Sequence, residues 1–137
     1  MTASRRIIGH APHEGQGPHV HLPSGFVPLK LCITSEHLHI DIWRPVAIIG
    51  RHSDVDIRLA YPDISRRHCR LAFEDGQWRV NDLNSLNGIY VNNFAADEST
   101  LFTGDIVRIG CVQLLIESGT QIPNIPGTRS TSSQGLI

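Results

Sequence analysis

Lysine is almost missing from this chain of 137 residues: Lys30 stands alone among 12 Lys+Arg, set against 13 Asp+Glu. Residues 1–28 carry Arg5, Arg6 and Glu14, and residues 118–137 carry only Arg129. Residues 29–117 therefore hold 9 basic and 12 acidic groups, a net of −3. A surface of that sign lacks the broad cationic face that nucleic acid or anionic lipid requires, so no nucleic-acid or membrane partner is expected. Cysteine is scarce as well. Cys32, Cys69 and Cys111 make an odd count with no C-x-x-C spacing, which fits a reducing compartment, and Cys69 and Cys111 sit in apolar stretches where a free thiol acts as a small hydrophobe. Long apolar runs are missing too: none exceeds Val46-Ala47-Ile48-Ile49, and Arg5-Arg6 is followed only by Ile7-Ile8 before Gly9, too short for the core of a signal peptide. A cytoplasmic, soluble protein is expected. The length suits one compact domain, which excludes a large enzyme with separate cofactor and substrate domains.

No stretch shows the i, i+3, i+4, i+7 apolar spacing of a long helix. Short alternating or β-branched runs recur instead, at residues 30–34, 38–42, 46–51, 56–59, 89–92, 106–109 and 112–117, each ended by Gly, Pro, Asn or Ser. The clearest hairpin covers residues 69–81, where Cys69, Leu71 and Phe73, then Trp78 and Val80, alternate with polar neighbours around an Asp75-Gly76 turn. This predicts an all-β domain over 29–117, two antiparallel sheets packed face to face with functional residues on loops at one end. Residues 1–28, rich in His, Gly and Pro, are expected to form a disordered arm, and residues 118–137 a disordered tail rich in Ser, Thr and Gly.

Three segments between strands hold the groups a phosphate site needs: Gly50-Arg51-His52, Ile64-Ser65-Arg66-Arg67-His68 and Asn84-Ser85-Leu86-Asn87-Gly88. They supply a guanidinium, a hydroxyl donor, a second Arg and an amide side chain. A phosphate monoester carries about −1.5 to −2 charges at neutral pH with strong acceptor oxygens, so Arg and Ser contacts separate it from an unmodified hydroxyl.

These segments, continued by Asp82-Leu83-Asn84 before the third, Ile89-Tyr90-Val91-Asn92 after it, and residues 101–110 from Leu101 to Gly110, make the sequence resemble the forkhead-associated (FHA) domains, phosphothreonine-peptide binding modules on a β-sandwich. The resemblance implies that Arg51 and Ser65 contact phosphate, that Arg66 assists, and that Asn87 holds the main chain of the ligand. It gives Gly50, His68 and Gly88 supporting roles within the domain. The implied partner is a Thr-phosphorylated protein or peptide produced by an upstream Ser/Thr kinase, and the implied role is that of a monomeric, non-enzymatic adaptor. Two positions depart from the family. Leu86 stands where many relatives have Thr, removing a hydroxyl worth roughly 0.5–1.5 kcal/mol as one net hydrogen bond. Asn93 replaces a usual Gly and tolerates the same turn.

Other readings compete. Ser65 and His68 with Asp63 or Asp82 suggest a hydrolytic triad, yet no G-x-S-x-G elbow, phosphate loop or carboxylate-rich metal cluster accompanies them. Arg58, Arg67 and Arg70 read as solvated charges, Asp56 as a local pairing or capping group, and His37 and His39 as an exposed strand face. His10, His13, His19 and His21 lack the defined spacing of a structural metal site, so neither metal nor cofactor is expected. A phosphate-independent interaction domain on the same sandwich is the alternative function. Thr120, Thr128 and Thr131, on the expected tail, raise a further idea of self-recognition after phosphorylation.

Overall fold

The computed structural model describes residues 22–120, and residues 3–8 as backbone. Alternation of apolar and polar residues does the organising: in β2 (Leu29–Ile33) Leu29, Leu31 and Ile33 are buried in the core, and in β12 (Val112–Ser118) Val112, Leu114 and Ile116 are. Between them run β3 (Leu38–Ile42), β4 (Val46–Gly50), β5 (Ile57–Arg58), β6 (Cys69–Glu74), β7 (Gln77–Asp82), β8 (Ile89–Val91), β9 (Phe94–Ala96), β10 (Glu98–Thr100) and β11 (Ile106–Ile109). A single 3-10 turn, Thr34–Glu36, joins β2 to β3. A seven-stranded sheet has the order β1-β3-β2-β12-β11-β8-β9, with β1 being Ala3–Ile8, and a five-stranded sheet the order β10-β7-β6-β4-β5.

The two sheets close on one core in which Trp78, Leu29, Leu31, Ile42, Ile49, Ile64, Leu71 and Leu114 are fully buried. Burying each such side chain contributes roughly 1.5–3 kcal/mol. The 69–81 hairpin is present in the expected register, Leu71 opposite Val80 and Phe73 opposite Trp78, turning through Asp75 and Gly76 at φ 52° and 78°. Asn92 and Asn93, at φ 51° and 73°, make the β8–β9 turn as expected of Asn at that position.

Several expectations need correction. The sandwich is not wholly antiparallel, since β4 pairs with β5 and β1 with β3 in parallel. Residues 3–8, read as part of an unstructured arm, add a strand to β3, whose outer edge offers unpaired N–H and C=O groups. Phe26 and Val27 also join the folded body. Phe26 packs edge-on against Phe73 and Trp78, with centroids 5.3 and 5.9 Å apart, and the Trp78 indole donates to the Val27 carbonyl at 2.8 Å. At the other end Thr120 is 5% exposed; its Oγ1 accepts from Trp78 N at 2.9 Å and donates to Trp78 O at 3.2 Å. That excludes Thr120 as an accessible phosphorylation site in the folded chain. Thr128 and Thr131 lie outside the described residues, as do His10, His13, His19 and His21.

His37 ends the 3-10 turn at φ 51° and does not lie on a strand. Cys69 is buried as expected, and that burial raises its thiol pKa, whereas Cys111 is exposed and Cys32 is buried. Among the described residues no helix is long and apolar enough to cross a membrane.

Candidate functional site

The loops β4–β5, β5–β6 and β7–β8 gather at one end of the sandwich and are laced together by main-chain hydrogen bonds. Arg51 N donates to Ser65 O at 2.9 Å and His52 N to Arg66 O at 3.1 Å. The approach is so close that a Cβ on Gly50 would overlap the Arg66 carbonyl oxygen. Glycine is required there by space, while Gly88 is required by its backbone, at φ +76°.

His68 is the buried post of this assembly. With no exposed surface, it accepts a hydrogen bond from Ser65 N on Nδ1 at 3.0 Å, and its Nε2 lies 2.8 Å from the Gly88 carbonyl. The first contact makes Nδ1 the acceptor, so Nε2 carries the proton and donates to Gly88. One imidazole thus ties the β5–β6 loop to the β7–β8 loop, while its own N–H and C=O bond Ile49 O and Leu83 N. This is the supporting role the resemblance implies for His68.

The side chains implied to bind phosphate converge on these loops. Arg51 Nε donates to Ile64 O at 2.9 Å, fixing the guanidinium plane and leaving both terminal nitrogens without a protein partner among the described residues. Ser65 Oγ accepts from Leu86 N at 3.0 Å, so its proton is free to donate outward. Among the described residues neither Arg51 nor Arg66 forms an ion pair. Arg67, beside them, is neutralised by Asp54 at 3.3 Å. Two guanidinium groups and a hydroxyl donor without internal counter-charge suit a tetrahedral dianion.

Asn87 lies on the β7–β8 loop, its Nδ2 donating to Asp63 O at 2.9 Å and its Oδ1 without a partner among the described residues. Leu86 is 89% exposed. The missing Thr hydroxyl does not loosen the loop, because Leu86 N on Ser65 Oγ and the Ser85 hydroxyl on Asp82 hold it. Beyond Asn87 an open depression of about 360 Å³ is lined by Asp63, Tyr90, Arg108 and Gly110, with the Arg108 guanidinium carbon 4.2 Å above the Tyr90 ring centre.

Arg58 is exposed, as its solvated reading anticipates, and its Nε in addition donates to Arg51 O at 3.0 Å. Asp56 pairs with Arg44 at 3.0 Å and accepts from Ile48 N at 2.7 Å, as its local reading anticipates. Sequence reasoning weighed Asp63 only as a triad member and gave Tyr90 and Arg108 no role. Only the pairing of Arg108 with Tyr90 across β11 and β8 brings the last two together, and single-strand patterning does not disclose it.

An FHA domain model matches residues 47–110. A solved FHA domain studied for phosphothreonine-dependent interactions superimposes with a TM-score of 0.62 at 30% identity, covering 66% of this chain and 95% of that one. This chain belongs to the FHA family. Among curated proteins it is 42% identical over 76 residues to the glycogen accumulation regulator GarA of Mycolicibacterium smegmatis, covering 56% of this chain and 48% of that protein. It is 41% identical over 76 residues to the oxoglutarate dehydrogenase inhibitor of Corynebacterium diphtheriae, covering 56% and 53%. The FHA chain therefore spans about half the length of the curated relatives it matches.

Proposed function

We propose that this FHA chain is a phosphothreonine-dependent adaptor in Ser/Thr kinase signalling, docking on a Thr-phosphorylated segment through Arg51, Ser65, Arg66 and Asn87. The reading rests on Arg51, whose terminal guanidinium nitrogens have no protein partner among the described residues, and on Ser65, whose hydroxyl accepts from Leu86 N and keeps its proton available, both on loops tied together by His68. Phosphate gains charge-assisted bonds from both groups, and an unmodified threonine gains neither. Asn87 Oδ1 has no donor among the described residues and suits an N–H of the bound main chain. The names of the relatives, a glycogen accumulation regulator and a dehydrogenase inhibitor, support a regulatory docking role for this chain. Ser65 bonds His68 through its main-chain N–H and not its hydroxyl, which speaks against this pair acting as a nucleophile and its base.

Fluorescence anisotropy with a library of Thr-phosphorylated peptides and their unphosphorylated twins tests the reading. Binding is expected only for the phosphorylated set, with Arg51→Ala and Ser65→Ala each weakening it about 10-fold or more, the cost of about 1.5–3 kcal/mol for a hydrogen bond to charge. Equal binding of both sets sinks it in favour of a phosphate-independent interaction domain.

A further inference from the structure

The outward face of the seven-stranded sheet carries a second cluster that takes no part in the loop site. In β2, Leu29, Leu31 and Ile33 turn into the core, which sends Cys32 to the opposite face. There Cys32 is paired directly with His39 across the β2–β3 ladder. On its other side β12 has a bulge: Ile116 pairs with Leu31 and Ser118 with Lys30, so Glu117 is the extra residue. Bulges re-aim side chains, and this one brings the Glu117 carboxylate oxygens to 2.9 and 3.0 Å from His39 Nδ1. A thiol, an imidazole nitrogen and a carboxylate oxygen, from three adjacent strands, all lie within 4.8 Å of one another.

We propose that Cys32, His39 and Glu117 form a binding site for a divalent cation of the zinc type. The donor set is the mixture of sulfur, nitrogen and oxygen that such a cation accepts, and three protein ligands leave a fourth position open to water or an external ligand. Tetrahedral coordination at metal–ligand lengths of about 2.0–2.3 Å puts donors roughly 3.3–3.7 Å apart. His39 and Glu117 are half-exposed and free to move that far, while Cys32 is anchored on a central strand with 7% of its surface exposed. Binding releases the thiol proton to solvent, and a dication then balances one thiolate and one carboxylate around a neutral imidazole.

Cobalt(II) titration of the full chain, prepared free of metal, provides the test, because a cobalt–thiolate bond gives a near-ultraviolet charge-transfer band that imidazole or carboxylate ligation does not. The band should appear, be displaced by added zinc(II), vanish in Cys32→Ser and persist in Cys111→Ser. His39→Gln and Glu117→Gln, both half-exposed and harmless to folding, should each weaken cobalt binding about 10-fold or more. Binding without a thiolate band, which would assign the metal to the His10, His13, His19 and His21 segment, overturns the proposal. So does a band that survives Cys32→Ser, or one indifferent to both His39→Gln and Glu117→Gln.

Discussion

At the scale of single residues, His68 has the most consequence for its size. Its two ring nitrogens serve a main-chain donor and a main-chain acceptor on different loops, so truncation leaves Ser65 N and Gly88 O to find new partners. His68→Ala is expected to cost about 2–4 kcal/mol, measured by urea unfolding, and to weaken phosphopeptide binding although the residue touches no ligand. Ser65 divides its labour in a way its sequence neighbours do not announce: the hydroxyl lone pair takes Leu86 N while its proton stays available. The distinctive spacing of G-R, S-R-x-H and N-G is what singles out Arg51, Ser65, Arg66, Asn87 and His68 as candidates in the sequence. Their hydrogen-bond partners were not legible, since Asp63 O and Leu86 N act through the main chain, which carries no side-chain signature.

Among elements, the strands with clean alternation were readable, as were the short β5 and β8, while β9 and β10 were not. Residues 69–81 announce a hairpin through period two and Asp75-Gly76, and the structure has it. β9 and β10 span three residues each, too few for a period, and Phe94, 77% exposed, points the wrong way for a core reading. β1 exists because of the edge it joins, which no local pattern reveals. Gly50, at the end of β4, and Gly88, just before β8, offer a contrast between two causes. Gly50→Ala collides with the main chain of Arg66 and should cost about 1–3 kcal/mol or more, displacing Arg51 from Ser65. Gly88→Ala meets open space and suffers only the left-handed backbone, about 1–2 kcal/mol. Paired unfolding and peptide-binding measurements should show the first variant as the more damaging in both.

For the whole molecule, the boundaries of the domain were the least legible feature. Composition marked residues 29–117 as the folded part, yet Phe26 on one side and Thr120 on the other are bound into it through Trp78. Neither stands in an alternating run, so only three-dimensional packing reveals their role. Thr120→Val removes the acceptor of a buried Trp78 N–H and should destabilise the fold by about 1–3 kcal/mol, seen as a lower urea midpoint with unchanged slope. Because the indole nitrogen holds Val27 and the main-chain nitrogen holds Thr120, the stretch before β2 and the stretch after β12 are pinned to one tryptophan, and a substitution of Trp78 would release both at once.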